Sequence, residues 1–111
     1  MGVPNARQAV IDGAKIRGYL LSRTHPVGRF KAAFFARLGY SEDSWGRLEQ
    51  GLRAVAEHGT VEAEESNEFG RKYRVRGVLT GPNGRRAEIV TVWIVLEREA
   101  VPRFVTAFPG E

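Results

Sequence analysis

The hydrophobic period of this chain changes once, at Gly59, and that change sets the class of fold. Before it, apolar residues recur at helical spacing; after it, they alternate with polar ones. Trp45, Leu48, Leu52, Val55 and Ala56 make the stripe of a helix that Gly59 ends. Ser41 is its expected cap, with Glu42 and Asp43 suited to its dipole. From Thr60 the pattern reads as strands. TVEAEES carries acidic residues on a wet face, and RKYRVRGVLT alternates Tyr73 and Val75 with Lys72, Arg74 and Arg76. Gly81-Pro82-Asn83-Gly84 is hairpin chemistry, because proline pre-sets φ and glycine accepts positive φ. The next strand, roughly Arg85 to Glu97, contains VTVWIVL, which is apolar on both faces and therefore central; RFVTAF before Pro109 is the last. Helices followed by antiparallel strands predict an α+β fold, with three N-terminal helices packed on one face of a four-stranded antiparallel meander.

The two earlier helices are less regular. Residues 1–11 show no helical stripe and read as an extended arm or edge strand. Asp12 is placed to cap a short helix over GAKIRGYLLSR, which Gly13 and Gly18 weaken. After a connection at Ser22 to His25, Pro26 suits the first turn of a second helix, and Gly39 suits its end. The 111 residues are expected to form one domain, with the arm at 1–11, the helical part at 12–59 and the sheet at 60–109.

Composition narrows the chemistry. There is no cysteine, so disulfides and thiolate sites are excluded, and two histidines on different elements are too few for a transition-metal site. No glycine-rich phosphate loop opens a helix and no Gly-x-Ser-x-Gly elbow is present, so neither a cofactor nor a metal is expected. Apolar runs are too short to span a bilayer, and the N-terminus lacks a charged region followed by an apolar core, so the expectation is a cytoplasmic protein with no membrane partner. Seventeen Lys+Arg against thirteen Asp+Glu, a net charge of +4, tilt the partners towards nucleic acid or an acidic protein.

Within the second helix, Val27, Phe30, Phe34, Phe35 and Leu38 fall on one side at about 100° per residue, and Lys31 falls in the same arc. Such a lysine either snorkels across an apolar surface, pairs with a buried carboxylate, or is a cation held over a reacting phosphate. His25, six positions earlier, is either a loop and capping residue or a general acid/base. His58, beside Gly59, complements a helix dipole. Lys72, Arg74 and Arg76 share one strand face, which is either solvated or the lining of a cationic groove. Thr91 and Trp93 share a face of the central strand, and Phe104, Thr106 and Phe108 share one on the last. These are either β-propensity filling or hydroxyls for a phosphate beside rings that stack on bases.

Together, YLL, HPVGRFKAAFF, LGY, KYRVRGVLTGPNGR, TVWIV and FVTAFP resemble an uncharacterised small bacterial domain family with the pattern YLL…HPxGxxKAxFF…TVWI…TAYP. The resemblance runs from Ile11 to Pro109. That family in turn is similar to the barnase/EndoU/colicin/RelE-like superfamily of metal-independent ribonucleases, many of them toxin domains, which cut RNA on the face of a four-stranded sheet. The resemblance implies His25, Lys31, Arg74 or Arg76, and Thr106 as catalytic positions. Phe108 stands where the pattern has tyrosine, so no phenol is available there. The expected function is a toxin-like endoribonuclease in which a 2′-hydroxyl attacks the phosphodiester. His25 would move a proton, Lys31 with Arg74 or Arg76 would stabilise the phosphorane, and Thr106 would orient a phosphate oxygen. Lys72, Thr91, Trp93 and Phe108 would contact the substrate. Expected partners are RNA (tRNA or mRNA) and a cognate antitoxin or immunity protein. The alternative is a non-catalytic module that binds RNA or protein, itself an antitoxin or immunity-type partner.

Overall fold

A computed structural model describes residues 2–22 and 24–110. Met1 of the arm, Arg23 of the connection and the terminal Glu111 lie outside the described residues. The chain runs α1 (Gly13–Lys15), a π-helical turn (Ile16–Leu20), α2 (Gly28–Arg37), α3 (Trp45–His58), β1 (Thr60–Asn67), β2 (Gly70–Thr80), β3 (Arg86–Leu96) and β4 (Arg103–Pro109). The strands pair antiparallel in the order β1-β2-β3-β4. This is the expected α+β meander with helices on one face.

Period-two alternation sorts β2 and β3 between the faces. Tyr73, Val75, Leu79, Ile89 and Trp93 join the helices in the core, while Val90 and Val92 are buried on the opposite side as a floor beneath longer side chains. Leu48, Leu52, Val55 and Ala56 of α3 press on β2 and β3, each leucine contributing about 1.5–3 kcal/mol by burial. Ser41 and Ser44 form a reciprocal capping box at the entry to α3.

β4 contains one extra residue. Val92 faces Thr106 and Trp93 faces Phe104, so Val105 is bulged out of the ladder. The bulge reverses the side-chain alternation at that point. Phe104 turns into the core, against Trp93 at 5.3 Å, while Thr106 and Phe108 turn to the open face. The expected common face for Phe104, Thr106 and Phe108 is therefore corrected.

Two helical expectations also change. Asp12 does cap α1, accepting from the Ala14 N–H, but the helix widens after one turn into π geometry, closed by Leu21 N–H to Ile16 O at 2.8 Å. In α2 the buried stripe is narrow, comprising Gly28, Ala32, Phe35 and Leu38. Val27 and Phe30 are 56% and 68% exposed; the elements most closely packed on this helix are the π turn and the edge strand β4. The arm forms a 3-10 turn that buries Val3, Ala6 and Ala9, and Val10 makes a single parallel bridge to Arg103 on β4.

Candidate functional site

Both ends of α2 are pinned, and this fixes where Lys31 points. At the C-terminal end, Gly39 adopts φ 96°, and the Gly81–Gly84 hairpin docks there, with Asn83 donating to Arg37 O at 3.0 Å. At the N-terminal end, Ser22 Oγ accepts from the Thr24 and His25 N–H groups at 3.3 and 3.2 Å. His25 Nδ1 accepts from the Val27 and Gly28 N–H groups, both at 3.0 Å. A Cβ on residue 28 would collide with the Tyr19 carbonyl oxygen, so glycine allows α2 to lie directly on the π turn.

From this helix Lys31 Nζ donates to Thr106 Oγ1 at 2.7 Å and to Tyr19 Oη at 2.8 Å. Because β4 is an edge strand, a side chain from the helical layer reaches round it to the open face. The ammonium also lies 5.0 Å from the centre of the Tyr19 ring. The Lys31 hydrogen bond lowers the Tyr19 phenol below its ordinary value; burial opposes the shift, and the Thr106 hydroxyl and the charges of Lys31 and Lys15 add to it. Lys15 Nζ donates to the bulged Val105 carbonyl at 2.9 Å and so braces the irregularity that turns Thr106 outward. Asp12, Lys15, Tyr19, His25, Lys31 and Thr106 surround an open pocket of about 550 Å³.

His25 lines this pocket and packs edge-on against Tyr19 at 5.0 Å. Its capping bonds decide its tautomer. Two N–H donors face Nδ1, so the neutral ring carries its proton on Nε2 and offers a donor there, with no lone pair for accepting a proton. This is the capping arrangement, and of the acid or base role expected for His25 it leaves the donor side facing the pocket.

A second groove, of about 470 Å³, continues from Thr106 across the open face past Val92, Arg74, Lys72 and Phe108. Arg74 stands 5.8 Å from the Phe108 ring and, among the described residues, has no carboxylate partner. Arg76, two positions along the same face, is taken up by acceptors. It binds Glu62 at 2.7 Å, Glu88 at 3.0 Å and the Gly110 carbonyl at 2.7 Å, and the two carboxylates raise its pKa further. Of the two arginines expected at the site, Arg76 is thus already engaged by acceptors within the chain.

Thr91 and Trp93 are fully buried beneath the helices. Trp93 Nε1 donates to Thr91 Oγ1 at 2.7 Å, and Thr91 donates to Val75 O at 3.1 Å. Neither reaches a surface, so their expected substrate contact is corrected too. Sequence reasoning brought His25, Lys31 and Thr106 together but missed Tyr19 and Lys15. Those two lie in a segment whose π geometry no spacing rule reveals, and a lysine bound to strand carbonyls leaves no pattern in the chain. Among the described residues no group of acidic, histidine or cysteine side chains is arranged to hold a metal, and no helix is long and apolar enough to cross a membrane.

No curated protein matches the sequence. Among solved structures, the chain is similar to one in a contact-dependent growth inhibition toxin–immunity protein complex from Klebsiella pneumoniae 342. The TM-score is 0.76 at 17% identity, over 96% of this chain and 97% of that one, a likeness of fold. A family profile matches residues 2–111, and the chain thus belongs to the family described as the domain of unknown function DUF6883.

Proposed function

We propose that this chain is a metal-independent endoribonuclease of the toxin type, cutting RNA by attack of a 2′-hydroxyl on the adjacent phosphorus. The observation that carries the reading is Lys31, a cation bridging a strand threonine and a phenol at the junction of two grooves. A scissile phosphate at that junction would meet the Lys31 ammonium, the Thr106 hydroxyl and the Nε2–H of His25, donors suited to a phosphorane. Arg74 and Phe108 would hold the flanking nucleotide by charge and stacking, with Lys72 on the next phosphate. Fixed cations supply the electrostatic stabilisation, so the reaction needs no metal. RNA in the cytoplasm is the substrate class, and a cognate immunity or antitoxin protein is the matching partner.

The similar chain belongs to a complex of a toxin with an immunity protein, so a non-catalytic partner role is the second reading. The convergence of Lys31, Tyr19 and Thr106 favours the first, since a binding surface has no need of a lysine locked between two hydroxyls. Purified protein incubated with RNA in EDTA tests the choice. Cleavage leaving 2′,3′-cyclic phosphate ends is expected, falling by ~10²–10³ in Lys31→Ala. A folded Lys31→Ala protein with full activity would overturn the mechanism, and wild-type protein that binds RNA without cutting it would select the second reading.

A further inference from the structure

His25 commits Nδ1 to two helix N–H groups and turns its donor nitrogen outward, so a nuclease built here draws its proton acceptor from another residue. We propose that Tyr19, as its phenolate, is the proton-accepting catalytic residue of this pocket, with Lys31 holding the phenolate and His25 acting only as a donor. The inference rests on the endoribonuclease reading above.

The geometry singles out this phenol. Its oxygen is 2.8 Å from Lys31 Nζ, which is itself 2.7 Å from Thr106 Oγ1, so an acceptor stands beside the two groups that would bind the phosphate. The charged and titratable groups around it are Lys15 from α1 and Asp12 from its cap, His25 from the loop, and Lys31 from α2; β4 contributes the Thr106 hydroxyl. Lysines on two sides favour the ionised phenol, in keeping with its lowered pKa. Gly28 lets α2 seat directly on the π turn that carries this phenol.

In the step itself the phenolate takes the 2′-hydroxyl proton as the 2′-oxygen bonds to phosphorus. The P–O5′ bond breaks, the 5′-oxygen takes a proton from water, and the phenol returns its proton to water. RNA becomes a 2′,3′-cyclic phosphate and a 5′-hydroxyl with no net change in protons. Since the active form is the phenolate, the rate rises with pH and levels off above the Tyr19 pKa, below the ordinary phenol range.

Two measurements on the full chain test this. Ultraviolet titration of the tyrosines should show a phenolate transition below the ordinary range that is lost in Tyr19→Phe and moves to higher pH in Lys31→Met. Cleavage of a mixed-sequence RNA oligonucleotide, with its all-2′-deoxy counterpart as the uncut control, should fall by ~10²–10⁴ in Tyr19→Phe and lose its pH bend. His25→Asn, whose amide oxygen also accepts from helix N–H groups, should slow cleavage and keep the bend. If no early transition belongs to Tyr19, the inference is overturned while wild-type cleavage keeps the nuclease reading intact. If the transition is present but Tyr19→Phe cuts with an unchanged bend, the base lies elsewhere and the inference again falls. An early transition in a protein that cuts no RNA overturns both readings.

Discussion

The sheet carries the same short pattern twice on neighbouring strands, a threonine followed two residues later by an aromatic, and the two copies have opposite fates. Thr91 and Trp93 on β3 face the helices, are fully buried, and satisfy one another. Thr106 and Phe108 on β4 face the open side, are half-buried, and meet Lys31 and Arg74. Both pairs join a threonine to an aromatic, and the difference lies in which face each pair reaches. On β4 one bulged residue, Val105, makes that choice, held in place by Lys15. A pair inside the core contributes packing and a closed hydrogen-bond network; a pair on the open face leaves a hydroxyl and a ring available to a ligand.

Truncation of the aromatics should separate the two copies most sharply. Trp93→Ala is expected to destabilise the fold by about 3–5 kcal/mol in urea unfolding, with Phe108→Ala close to wild type in the same measurement. RNA affinity should show the reverse, with Phe108→Ala losing about 1–3 kcal/mol of binding if a base stacks there. Equal destabilisation by both would break the contrast.

A smaller effect is expected at the threonines. Thr91→Val strands the Trp93 indole N–H in the core, at a cost of about 1–3 kcal/mol. Thr106→Val removes one of two acceptors from a lysine that water still reaches, so its unfolding midpoint should stay near wild type while cleavage of RNA slows.

The smallest effect sharpens the same division within the open face. Arg74→Ala should weaken RNA binding and reduce the salt-dependence slope by about one unit. Arg76→Ala should leave both nearly unchanged, because Glu62 and Glu88 already occupy that guanidinium. The double substitution Glu62→Gln with Glu88→Gln should make Arg76 behave as Arg74 does, read from the salt dependence of binding.

Much of the fold was legible in the chain because periodicity is a local property. The α3 stripe, the GPNG hairpin and the β2 alternation each follow from residues within one or two turns of each other, and all appear at the expected places. The site was legible in part. Lys31 stood out as a charge inside an apolar arc, and its partner Thr106 entered through the family resemblance. Tyr19 and Lys15 gave no such signal. The apolar run of β3 hid which face Thr91 and Trp93 would take, since neither face is marked by polarity.

Local spacing and turn chemistry thus decided, before any folding, that helices precede a four-stranded meander and that one lysine sits among phenylalanines. Tertiary structure decided the rest: which carboxylates neutralise Arg76 and which phenol lies against Lys31. Those outcomes depend on groups twelve to seventy-five residues apart in the chain meeting within 3 Å. The energies that bring them together come from burial and hydrogen bonding across elements, which no window of neighbouring residues contains.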